Sequence, residues 1–150
     1  MPYDLLIQDL LKFKSAKTIG TDKGLAKIGD AVVNLAYSVA KSIYLTKISS
    51  NHKVIRTGEK VNRKILSNAL KNAKLKDIAK SRADAHDIAD AVESLIAYIW
   101  LNDKMTLNEI IDVLTNNLAG NINERAQEIQ AATNAFTTLL NHVKKFIPEN

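Results

Sequence analysis

Cysteine is absent from the 150 residues, which excludes a disulfide framework, a cysteine-held zinc site and a thiol nucleophile at once. Glycine and proline are scarce, at five and two residues, so long helices with few breaks are expected. Aromatics make up only 5% of the chain. Tyr37, Tyr44, Tyr98 and Trp100 all fall in helical patterns, where core or interface packing comes before base stacking. The longest uncharged apolar run, residues 95–101, is far short of the ~18 residues that a membrane span needs. The opening MPYDLL has no basic stretch leading into an apolar one, so no secretory leader is read and a cytoplasmic protein is expected. Gly20 and Gly24 have the spacing of neither common phosphate-binding loop, and no serine sits in a Ser-His-Asp pattern.

What is present is an uneven distribution of charge. The net charge is +5, but residues 41–82 hold twelve Lys and Arg against two acids, and residues 83–113 hold seven acids against one Lys. A cationic block beside an anionic one suits an enzyme that binds a polyanion with a divalent metal. Two solvated helix faces of opposite sign are the plainer alternative.

Apolar positions recur at helical spacing almost throughout, with no sustained alternation. Leu5, Leu6, Ile7, Leu10 and Leu11 predict a short helix that fades at Lys14. Residues 18–24 read as a loop with Thr21 or Asp22 as a helix cap, and a long helix follows over residues 25–45. Residues 48–58 read as a polar connection. Val61, Ile65, Leu66, Ala69, Leu70 and Ala73 predict the next helix, with a short one over residues 75–79. Residues 83–101 form a helix whose second half is expected to be buried all round. Thr106 and Glu109 make a capping-box pattern for a helix ending before Gly120, and a last helix covers residues 122–146. The expected fold is a single all-α domain over residues 1–150.

Two acidic elements stand out. Asp90 and Glu93, three apart, share one side of a helix, Asp87 extends the row by a turn, and the row runs straight into the most apolar stretch of the chain. Carboxylates entering a buried segment need a partner, either a hard divalent cation or an Arg or Lys of the basic block. Gly29-Asp30 interrupts an otherwise apolar helix. Glycine costs a helix about 1 kcal/mol relative to alanine, so close approach of another helix carrying acids to Asp30 would explain it. Simple packing at Gly29, with Asp30 paired to Lys27, explains it equally well.

Leu25-Ala26-Lys27-Ile28-Gly29-Asp30-Ala31-Val32-Val33-Asn34-Leu35 resembles the signature helix of the ribonuclease III family. Ala89-Asp90-Ala91-Val92-Glu93-Ser94, followed by the apolar run to Leu101, resembles that family's second acidic motif, and residues 61–75 resemble its intervening helix. The resemblance covers about residues 20–105. It implies an all-α endonuclease domain and a homodimer that cuts double-stranded or structured RNA, with Asp30, Asp90 and Glu93 binding Mg²⁺, for which Mn²⁺ can substitute. It also implies RNA contact by the basic segment, with Lys60, Arg63, Lys64 and Lys71 as candidates because they share helical spacing.

The full-length enzymes carry a further Glu where this chain has Ala26, and Lys23 replaces another acid. Ala at that position is similar to the Mini-III branch, which lacks a double-stranded RNA-binding domain, and none is expected here. Asp87, in line with Asp90 and Glu93, could partly compensate as a metal ligand. The alternative reading is a non-catalytic RNA-binding protein on the same fold. A helical scaffold contacting an acidic protein, and an HD-type phosphohydrolase built on His52, His86, Asp87 and Asp112, complete the alternatives.

Overall fold

A computed structural model describes residues 2–13 and 15–148, without the side chains of residues 11–13. Lys14, the expected end of the first helix, lies outside the described residues, as does the side chain of Leu11. The described residues form seven α-helices and two 3₁₀ turns, with no strand, so the all-α expectation holds. In order the helices are α1 (Asp4–Phe13), α2 (Ala16–Gly20), α3 (Lys23–Ile48), α4 (Arg63–Asn72), α5 (Ala85–Leu101), α6 (Leu107–Asn116) and α7 (Arg125–Val143). The 3₁₀ turns are Lys76–Ile78 and Lys144–Phe146.

The boundaries follow capping chemistry. The Asp22 carboxylate accepts from the Leu25 N–H at 2.8 Å and starts α3 two residues before the apolar pattern does. Thr106 and Glu109 form the expected capping box of α6. Part of the expected loop is helical instead. Ser15 caps the single turn of α2, and its end presses so closely on the next 3₁₀ turn that a Cβ on Gly20 would lie 2.1 Å from the Ile78 carbonyl oxygen. The last helix begins at Arg125, capped by Glu124, and not at Ile122.

α5 is the central helix. From residue 88 to 101 every side chain is buried except Asp90, Glu93 and Trp100, which are half-buried. Its main partner is α3, and the two cross at Gly29, where a Cβ would lie 1.8 Å from the Glu93 carbonyl oxygen. Both explanations open in the sequence require a helix packed at Gly29, and the helix found there is the one that carries Glu93.

The segment expected as a polar connection does more than connect. Residues 55–61 run antiparallel along α3, held by side chains four residues apart on the helix. Thr46 Oγ1 pairs with the N–H and carbonyl of Ile55, Ser42 Oγ with those of Thr57, Ser38 Oγ with those of Glu59, and Asn34 Oδ1 accepts from the Val61 N–H. Four helical residues rise about 6.0 Å and two extended residues about 6.6 Å, so the two repeats stay in register. The ladder satisfies backbone groups that no sheet is there to satisfy. Ser42→Ala, which leaves both Thr57 groups without this partner, is expected to cost about 1–3 kcal/mol, measured as a lower urea midpoint.

Candidate active site

One cavity of about 830 Å³ lies where α3, α4, α5, the start of α7 and the end of the ladder segment meet. Asp30, Asp90 and Glu93 all line it, 63 residues apart at the extremes, together with Lys23, Lys27, Lys60, Arg63 and Arg125. The Gly29 crossing makes this possible, because it lets α3 and α5 approach backbone to backbone just beside Asp30 and Glu93.

Asp30 is oriented from behind. Asn34, one turn on, donates through Nδ2 to Asp30 Oδ1 at 3.1 Å while its own Oδ1 accepts from the Val61 N–H at 2.7 Å. The last rung of the ladder thus fixes the rotamer of the first acid. Glu93 faces Asp30, and its carboxyl donates a hydrogen bond to it. Burial pushes Glu93 up to about 8, the hydrogen bond and charge of Asp30 and the charge of Asp90 add to this, and Lys60 opposes it. At neutral pH Glu93 therefore keeps its proton.

Asp90 turns to a different partner. Lys23 Nζ donates to Asp90 Oδ2 at 3.0 Å, and His86 Nε2 stands 3.6 Å from the same oxygen. The hydrogen bond to Asp90 raises the Lys23 ammonium above its ordinary value. Asp87 is not part of the cavity. Its backbone N–H and carboxylate complete a capping box with Asp84, and Lys80 and Lys23 lie 3.4 and 3.7 Å from its oxygens. Bonding to the Asp84 backbone in particular holds its carboxyl below the usual range. Asp87, placed by sequence in the acidic row, thus serves the start of α5.

Among the described residues, no three acids and histidines stand assembled as a metal cage. Asp30 and Glu93 face one another, and Lys23 holds Asp90. The same finding leaves the HD-type constellation unassembled: His52 lies exposed in the ladder connection and Asp112 exposed on α6. Of the basic candidates, Lys60 and Arg63 line the cavity, whereas Lys64 and Lys71 are exposed on α4 outside it.

Sequence reasoning missed Arg125 altogether. Its Nη1 donates to Glu128 Oε1 at 2.9 Å and to Glu59 Oε1 at 3.3 Å. Burial alone would raise Glu128, but hydrogen bonds with Glu59, Lys41, Tyr37 and Arg125 outweigh it and hold the carboxyl at about 2. A buried glutamate inside an amphipathic helix was the available signal, because such a group demands cations from elsewhere in the chain.

The family model described as Ribonuclease III matches residues 23–148, which takes in every residue of the cavity. No curated protein matches the chain.

Proposed function

From its membership of the ribonuclease III family, shown by that match over most of the chain, we propose that this protein is a metal-dependent endonuclease for double-stranded or structured RNA, acting as a homodimer. The observation that carries the reading is the meeting of Asp30, Glu93 and Asp90 in one cavity rimmed by cations. These acids offer only hard oxygen donors, the set that Mg²⁺ or Mn²⁺ takes. They also fit an ion electrostatically, since the negative charges of Asp30 and Asp90 help to raise the Glu93 carboxyl and a cation would relieve that repulsion. Bound there, the ion would supply Lewis acidity to a phosphodiester and to the attacking water.

Asn34 would keep Asp30 aimed, Glu93 would give up its proton to take the ion, and Lys60 and Arg63 would hold backbone phosphates. Ala26 before Ile28-Gly29-Asp30 supports the Mini-III-like branch. Leu35, exposed on α3, offers apolar surface for a second copy. Among the described residues no helix is long and apolar enough to cross a membrane, and a cytoplasmic location is part of the proposal.

Structured RNA incubated with the full chain in Mg²⁺ should be cut, and EDTA should stop the cutting. Asp30→Ala and Glu93→Ala should each lose about 100-fold or more, since even the groups behind metal ligands are worth 10–100-fold. Equal cutting by wild type and variants would point to a contaminant and overturn the assignment. One observation favours a second reading, that of an RNA-binding protein without activity: the Lys23 ammonium already neutralises Asp90. On that reading the chain binds duplex RNA, ever more weakly as salt rises, and cuts in neither Mg²⁺ nor Mn²⁺.

A further inference from the structure

Arg125 belongs to a second charged cluster that opens on the same cavity. Glu128, its anchor, is only 3% exposed. The other oxygen of Glu128 accepts from the Tyr37 hydroxyl at 2.8 Å and lies 2.7 Å from Lys41 Nζ. Lys41 is itself 3.5 Å from Glu59. The buried charge of Glu128 is thus met from inside the fold by Lys41 and Tyr37, before Arg125 is counted. Arg125, by contrast, has a side chain that is 50% exposed and lines the cavity with Asp30 and Glu93.

The geometry of its guanidinium decides what it can do. Both carboxylates hold Nη1, and among the described residues neither Nε nor Nη2 has a hydrogen-bond partner. Those two nitrogens form one edge of the planar fork, the edge that takes two oxygens of a phosphate side by side. A long side chain on a cavity wall normally loses conformational freedom on binding, which weakens the contact. Here two acids, one of them buried, have already fixed it.

We propose that Arg125 is a substrate-positioning residue, taking one RNA backbone phosphate through Nε and Nη2 while Glu128 and Glu59 hold Nη1. The inference rests on the RNA reading of this cavity and adds to it a contact from α7, outside the basic segment. It requires neither cutting nor a metal, so it is testable in EDTA.

Binding of a labelled RNA duplex by the full chain is measured over a range of salt concentrations for wild type, Arg125→Gln, Arg125→Lys and Lys144→Gln, whose site lies outside the cavity. Arg125→Gln should bind about tenfold more weakly, with the slope of log K against log salt reduced by about one. Arg125→Lys should keep the slope, since the charge remains, yet bind more weakly than wild type because the fork is lost. Lys144→Gln should change the slope less than Arg125→Gln does. An unchanged slope in Arg125→Gln, or an equal change in Lys144→Gln, overturns the Arg125 contact and leaves the RNA reading standing. A wild type that fails to bind duplex RNA overturns both.

Discussion

Glu93→Gln should melt at a higher temperature than wild type at pH 8 and above, while losing both Mg²⁺-dependent cutting and stabilisation by divalent ions. The gain follows from the raised Glu93 carboxyl. In the folded protein it titrates at about 8 against an ordinary 4.5, so the folded state binds the proton more tightly than the unfolded chain. Between those two values stability therefore falls as the pH rises. Glutamine has no proton to lose there and keeps the shape of the protonated acid. In EDTA the two melting curves should coincide near pH 4, separate through that window and stay apart above it, by about 5 °C or more. Adding Mn²⁺ at pH 8 should raise the wild type and leave Glu93→Gln where it was. If the two proteins lose stability in parallel from pH 5 to 8, then the Glu93 carboxyl is not raised in the folded protein.

Gly29→Ala should damage the fold more than any other substitution of one small residue for another in this chain. The added Cβ would stand 1.8 Å from the Glu93 carbonyl oxygen, 2.3 Å from its carbon and 2.9 Å from its Cα. All three atoms are main chain, so no rotamer change relieves the overlap and α3 must move off α5. Overpacking a core commonly costs about 1–3 kcal/mol, and the rigid obstacle here puts the expected loss at the upper end or beyond. The roughly 1 kcal/mol that alanine contributes to helix propensity does not offset it.

Moving α3 also draws Asp30 away from Glu93, so any stabilisation of the variant by Mn²⁺ should shrink. Gly24→Ala is the internal control. Its Cβ would meet only the Asp22 carboxylate, at 3.3 Å, in the first turn of the same helix. A urea midpoint for Gly29→Ala equal to that of Gly24→Ala would show that the crossing is looser than described.

Much of the site was legible because its signals are local. Asp90 and Glu93 share a helix face by spacing alone, and a Gly-Asp pair in an apolar helix asks for a close neighbour. Asp87 could not be told from them by spacing, since a cap and a ligand are both acids one turn apart. What separates the two is the Asp84 N–H, with which Asp87 closes a capping box. The ladder on α3 had a readable trace in Asn34, Ser38, Ser42 and Thr46, four residues apart. Its meaning depends on the extended segment that comes back to meet it.

The amino-acid order by itself determined the helical class, the cap at Thr106, the burial of the second half of α5 and the shared helix face of Asp90 and Glu93. Each of these depends on residues within a turn or two of one another, where periodicity and capping act. Only the tertiary structure decided that Lys23 meets Asp90 across 67 residues and that Arg125 meets Glu59 across 66. It alone placed Asp30 close enough to Glu93 to help raise the Glu93 carboxyl. Which charges meet over such separations depends on how closely α3 and α5 cross and where α7 starts, and these follow from the packing of the whole core.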